Sequence, residues 1–197
     1  MIPLCRPVFT GREREYVDEC LRTGWVVTGA FIERFEEAIS KRYDGAHVVT
    51  VNSGTTALTL ALKALELPEI WAIIPVLTFK ATINAVRAAG LKSCLKDVHH
   101  ASWVLRGSFG GIVIPVDLNG VGSPATGSWT IQDAAGAIGG TIHSQTMIMS
   151  FNANKIITTA GGGAVITRDG VIAQEVRQMR RHTRDGDETR GEANLML

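Results

Sequence analysis

The run Ser150-Phe151-Asn152-Ala153-Asn154-Lys155, followed by Ile156-Ile157-Thr158-Thr159 and the glycines Gly161-Gly162-Gly163, sets a lysine just past an apolar strand, among small polar residues. A lysine so placed can present its amine to a bound aldehyde, as a Schiff-base lysine must. It reads equally as a solvated loop lysine, and residues elsewhere have to decide. Asp133 closes the run Trp129-Thr130-Ile131-Gln132 and precedes Ala134-Ala135-Gly136-Ala137. An aspartate at the end of an apolar strand is costly to bury without a cation. A protonated pyridine nitrogen would be one, and the pair would keep such a ring electron-accepting. A turn or helix-capping aspartate is the other reading.

Two further stretches carry chemistry. Asn52-Ser53-Gly54-Thr55-Thr56 lies between the β-branched run His47–Val51 and the helix-forming ALTLALKAL. Backbone N–H groups and the dipole at such a helix start suit a phosphate, and the hydroxyls of Ser53, Thr55 and Thr56 add donors. An ordinary serine or threonine N-cap explains the same residues. Phe79 follows the strand Trp71–Pro75, where a ring could stack on a planar ligand or simply pack in the core. His99 and His100 are adjacent, and no carboxylate or cysteine joins them at a metal-ligand spacing, so no metal is expected.

The elements that must position these residues follow from periodicity. Residues 12–23 have helical spacing, with Tyr16, Val17, Cys20 and Leu21 on one face, and a second helix carries Phe31, Ile32, Phe35, Ala38 and Ile39. Both precede any strand and are expected outside the sheet. Strands are expected at His47–Val51, Trp71–Pro75, Ser93–Val98, Ile112–Leu118, Trp129–Asp133, Met147–Phe151 and Ala164–Thr167. Helices are expected from Thr78 to about Ala89, ended by Gly90, and over Val171–Arg181. The alternation predicts an α/β fold with a mainly parallel seven-stranded sheet and ligands at the strands' carboxyl ends. The connections HHASWVLRGSFGG and NGVGSPATGS are too short or too glycine-rich for crossover helices. Part of one sheet face is therefore expected to lie uncovered or against a partner.

The chain of 197 residues is long enough for one α/β domain with a buried core. Over 1–197 the reading is a helical segment at 1–45, a sheet core at 46–185 and a tail at 186–197. With 20 basic and 19 acidic residues the formal net charge is +1, without a long basic run, so there is no footing for nucleic-acid or membrane-surface binding. Three cysteines without a CxxC pair argue for a reducing compartment. MIPLCRPVF is too quickly charged for a signal peptide and no stretch has membrane-spanning length, so a cytoplasmic protein is expected.

In order along the chain, GWVVTG with FIERFEEAISKRY, SGTTAL, the Thr78-Phe79 pair, PVDLNG, DAAGAIG and SFNANK with its glycine run resemble the DegT-type sugar aminotransferases. These are fold-type I enzymes that use pyridoxal 5′-phosphate (PLP). The resemblance implies that Lys155 forms the Schiff base and moves the proton between the donor's Cα and the cofactor. It further implies that Asp133 pairs with the ring nitrogen, that Phe79 stacks on the ring, and that Gly54, Thr55 and Ser150 hold the phosphate. Asn194 resembles the asparagine that reaches the cofactor phosphate of the other subunit, implying a homodimer with a shared site. Gly136 stands where the family usually has Gln or His, and Ala160-Gly161 where it commonly has Gly-Glu. Family members continue past the position of Leu197 into a C-terminal domain, so the chain reads as a shortened form. The activity implied is transfer of an amino group from glutamate or glutamine to a keto-sugar, nucleotide-linked in most of the family, or to a related cyclitol. The alternatives are a non-catalytic or weakly active PLP-binding dimeric module, or a PLP-dependent sugar dehydratase. The dehydratase is disfavoured because the family's dehydratases carry histidine in place of the lysine.

Overall fold

The computed structural model describes residues 5–9, 11–68 and 71–181. Helix α1 (Glu13–Thr23) ends where Gly24 adopts φ 76° and donates its N–H to the Cys20 carbonyl, a left-handed cap that glycine accepts without strain. None of its residues is buried; it is steadied by Tyr16, whose ring lies 5.0 Å from that of Phe31 on α2 (Ala30–Arg42). Helix α2 is not remote from the sheet. It lays Phe35 and Ile39 over one face, with the Phe35 ring edge-on to buried Phe151 at 5.1 Å.

The sheet comprises β1 (His47–Val51), β2 (Trp71–Pro75), β3 (Lys92–Lys96), β4 (Ile112–Val113), β5 (Trp129–Asp133), β6 (Thr146–Ser150) and β7 (Gly163–Thr167), in spatial order β1-β7-β6-β5-β4-β2-β3. All pairings are parallel except those of β7, which runs antiparallel to both β1 and β6. The mainly parallel α/β sheet expected from the alternation is thus present, with two strands shorter than expected. Strand β3 stops at Lys96 because the Asp97 carboxylate takes the next N–H, that of Val98, at 2.8 Å. Strand β4 ends at Val113 because Pro115 has no N–H to give the ladder, which resumes only at the isolated bridge between Val116 and Asp133.

Helices α3 (Gly54–Lys63), α4 (Lys80–Ala88) and α5 (Gly170–Arg181) cover one face, burying Ala57, Leu58, Ala61, Ala85, Val86, Ala173 and Val176 against Val49, Ile74, Ile112, Ile131, Ile148 and Val165. At about 25 cal/mol per Å² of apolar surface this layer is the main source of stability. The other face is covered by α2 and, beyond it, by coil. Here the expectation of a partly uncovered face is corrected over β4, where the two glycine-rich connections fold back and cover the strands, while the edge at β3 stays exposed, with Trp71 on the neighbouring strand 58% exposed. Leu105, Val113 and Ala125 form a buried cluster flanked by Ile73 and Phe109. The connections also bond to each other, Phe109 N–H to the Thr126 carbonyl and the Ser123 hydroxyl to the Leu105 carbonyl. Glycine is what allows this coil to lie so close, since a Cβ on Gly127 would overlap the Val113 side chain and sit 2.8 Å from the Gly111 carbonyl oxygen. Among the described residues no helix is long and apolar enough to cross a membrane.

The open edge of β1 is closed by an ion pair that joins the two helical layers. Glu36 Oε1 accepts from the Thr50 N–H at 2.8 Å, from the Thr50 hydroxyl at 2.7 Å and from Arg180 Nη1 at 2.7 Å, and Arg180 also donates to the Thr50 carbonyl. Both side chains are mostly covered, at 17% and 25% exposure. Truncating Glu36 leaves a strand N–H and a guanidinium short of their acceptor, whereas Glu37 on the same helix makes only an exposed pair with Lys41. Urea denaturation of Glu36→Ala should therefore show a loss of about 2–4 kcal/mol, and Glu37→Ala should leave the midpoint where it was.

Candidate active site

Strands β1, β2, β5 and β6 all point the same way, so the turns after their carboxyl ends meet on one side of the sheet. Gly54, Thr55, Phe79, Asp133, Ser150 and Lys155 each lie at the end of one of these strands or in the segment that follows it. Asn194 lies outside the described residues.

At the end of β5, Asp133 is 7% exposed. Its backbone is gripped by the extension of β4: the Asp133 N–H donates to the Pro115 carbonyl at 2.8 Å, and its carbonyl accepts from the Asp117 N–H at 2.9 Å. Its carboxylate accepts from the Ala135 N–H at 3.1 Å and from the Thr82 hydroxyl at 3.0 Å. Burial pushes the carboxyl above the usual aspartate range, against the opposing pull of those two donors and of the Lys155 ammonium; the nearby Asp117 carboxylate adds to the rise. These neutral donors orient the carboxylate without neutralising it.

Thr82 had no distinguishing mark in the sequence. It is 1% exposed on the first turn of α4, and its hydroxyl is relayed to that of Thr78 at 2.8 Å. Its one signal is helical spacing, since Thr82 shares a face with the buried Ala85 and Val86. Phe79, immediately before α4, is 74% exposed, which removes the core reading for that ring.

After β1, Ser53 caps α3: its hydroxyl accepts the Thr56 N–H at 3.1 Å. The N-cap reading of this turn is therefore correct for Ser53. The N–H groups of Gly54 and Thr55 stand in the first turn, where a helix cannot pair them internally. Gly54 is buried beside Ser150, so close that a Cβ at position 54 would lie 2.8 Å from the Ser150 Cβ. This approach joins the start of α3 to the end of β6 and sets the Ser150 hydroxyl beside the helix start.

From β6 the chain leaves through Phe151 into a loop that returns to β7. The loop is closed at its base, with the Phe151 N–H bonded to the Gly162 carbonyl and the Phe151 carbonyl accepting from the Thr159 N–H and the Thr158 hydroxyl. Within it, a turn from Asn152 to Lys155 is held by the Lys155 N–H on the Asn152 carbonyl at 2.9 Å. Lys155 is half-buried, and its charge reaches Asp133. Gly163 is required here because any Cβ would overlap the Ser53 carbonyl. Ala160 takes a left-handed φ of 68°, which glycine would adopt more easily. Gly136 faces open space. A primary amine, a buried carboxylate, an exposed ring and a helix start thus share one end of the sheet.

The chain matches the model of the DegT/DnrJ/EryC1/StrS aminotransferase family over residues 8–108 and 115–196. It is 31% identical over 200 residues to the GDP-perosamine synthase of Escherichia coli, an alignment covering 87% of this chain and 54% of that protein. Among solved structures, NtdA from Bacillus subtilis, determined with bound cofactor PMP, is 26% identical with a TM-score of 0.75, covering 84% of this chain and 43% of that one. PseC of Helicobacter pylori, an aminotransferase in the biosynthesis of pseudoaminic acid, superimposes with a TM-score of 0.81 at 21% identity, over 95% of this chain and 58% of that one, which speaks to the fold. The architecture is that of the fold-type I aminotransferases. The chain spans about half the length of the curated relatives it matches. With the family model matched along almost its whole length, this chain belongs to the DegT/DnrJ/EryC1/StrS aminotransferase family.

Proposed function

We propose that this chain is the cofactor-binding part of a PLP-dependent sugar aminotransferase, moving an amino group from glutamate or glutamine to a nucleotide-linked keto-sugar or a related cyclitol. The observation that carries the reading is a buried Asp133 with only neutral hydrogen-bond donors, at the same end of the sheet as the half-buried Lys155. The residues present fit the cofactor's chemistry. The N–H groups of Gly54 and Thr55 with the Ser150 hydroxyl suit a phosphate dianion. Asp133 suits a protonated ring nitrogen, and exposed Phe79 offers a face for stacking.

When bound, PLP supplies an aldehyde for the amine and a ring that accepts electrons from the donor's Cα. Lys155 would hold the cofactor through Nζ and, once the donor's amine has replaced it, would take and return the proton at the donor's Cα. Asp133 keeps the ring nitrogen protonated. Asn194 of a second copy would complete the phosphate site, so the working form is a homodimer, and the compartment is the cytoplasm. The second reading is a PLP-holding module with little turnover. It is favoured by the open space at Gly136, where the family usually places a Gln or His.

Three outcomes follow. Purified protein supplied with PLP should show a visible absorbance band, and borohydride should fix the cofactor on the peptide containing Lys155. Lys155→Ala should show neither, and glutamate or glutamine should convert the band to the pyridoxamine form. A protein that stays colourless overturns the proposal, and colour without conversion by any amino acid leaves the module.

The pH dependence of the cofactor-free protein has a definite sign. Because Asp133 holds its proton more tightly folded than unfolded, its contribution to stability is fully present below the unfolded aspartate value of about 3.9 and is lost as pH rises through the folded value. Asp133→Asn should accordingly melt higher than the parent at pH 8, with the gap closing towards pH 4, as read by thermal denaturation without PLP. Sedimentation should further give a dimer at micromolar concentration; a fully active monomer removes the role of Asn194.

A further inference from the structure

Behind Asp133, on the opposite side of the sheet, lies a second buried carboxylate to which nothing above gives a function. Asp117 is 4% exposed. Its Oδ1 accepts the Ser123 N–H at 2.9 Å and its Oδ2 accepts Gln132 Nε2 at 2.6 Å. Gln132 is wholly buried and engaged at both ends, donating also to the Thr141 carbonyl at 3.0 Å and accepting the His143 N–H at 2.8 Å. Neighbouring residues of a strand project to opposite faces, so Gln132 is reached from the coil side while Asp133 faces Thr82 on the helical side. Asp117 therefore holds the tip of β5 twice, through its own N–H on the Asp133 carbonyl and through its side chain on Gln132.

A carboxylate with this burial and only neutral donors is expensive to keep, and its two oxygens each accept an N–H, which a single amide oxygen could not do. It also stands close enough to Asp133 for the two charges to oppose each other. Both costs are offset if a cation occupies the far side of Asp133. On the proposed reading of this site, that cation is the protonated ring nitrogen of PLP.

We infer that Asp117 is a positioning residue for the cofactor's ring nitrogen, acting through Asp133: it pins the β5 tip from behind and supplies the second negative charge that favours a cation in front. The effect is specific to the nitrogen and does not extend to the phosphate or the ring face. A unit charge within about 12 Å at an effective dielectric near 20 corresponds to about tenfold or more in binding.

The test compares PLP with its 1-deaza analogue, in which a C–H replaces the ring nitrogen, on the whole chain. Asp117→Asn should weaken PLP about tenfold while changing the affinity for the analogue much less. Asp117→Glu, which keeps the charge and two acceptor oxygens at this position, should retain more of the PLP affinity than Asp117→Asn. Equal losses for both ligands, or unchanged PLP affinity, overturn the inference. Loss of cooperative melting in both variants assigns Asp117 to the fold and overturns it too. If the parent protein binds neither ligand, the proposed function fails and this inference falls with it.

Discussion

The site is organised around a carboxylate that the fold buries without neutralising. Asp133 is surrounded by a threonine hydroxyl, a backbone N–H and the field of one lysine, with another carboxylate behind it. A protein built only for stability would place an amide or an apolar side chain there. The remaining features of the site keep that carboxylate in place. The extension of β4 holds its backbone, α4 brings Thr82 to its oxygen, and the loop after β6 brings Lys155 within electrostatic reach.

This arrangement depends on the sheet being rigid at one end, and the two faces achieve that differently. On one face three helices pack a continuous aliphatic layer. On the other, glycine-rich coil lies directly on the strands, close enough that side chains at positions such as Gly127 would not fit. The coil is polar where it meets the strand ends, and there Asp117, Ser123, Gln132 and the backbone of Thr141 and His143 satisfy one another. At the outer edge, Glu36 and Arg180 bridge the two layers across Thr50 and complete the hydrogen bonding of β1.

Much of this was legible in the chain. The alternation of β-branched runs and amphipathic helices determined an α/β sheet, and the polar residues closing those runs marked the end at which the candidate site lies. Ser53 as a cap, Gly24 as a helix end and the lysine ahead of its glycines are local patterns, set by residues within a few positions of one another. The family's motifs, spaced in order from Gly24 to Lys155, added the likeness that the family model bears out.

What the sequence could not decide involves residues far apart in it. Thr82 and Asp133 are 51 positions apart, and Glu36 and Arg180 are 144 apart. Neither pair leaves a periodic trace, because hydrophobic spacing reports only which side of an element faces the core. The same limit hid that the glycines of the two connections bring their backbone into contact with the sheet over β4. Sequence alone therefore determined the elements and the polar turns that end them. Only the tertiary structure decided that Asp133 is buried, which neutral groups surround it and which side chain answers its charge, because burial and charge proximity arise when the strand ends come together.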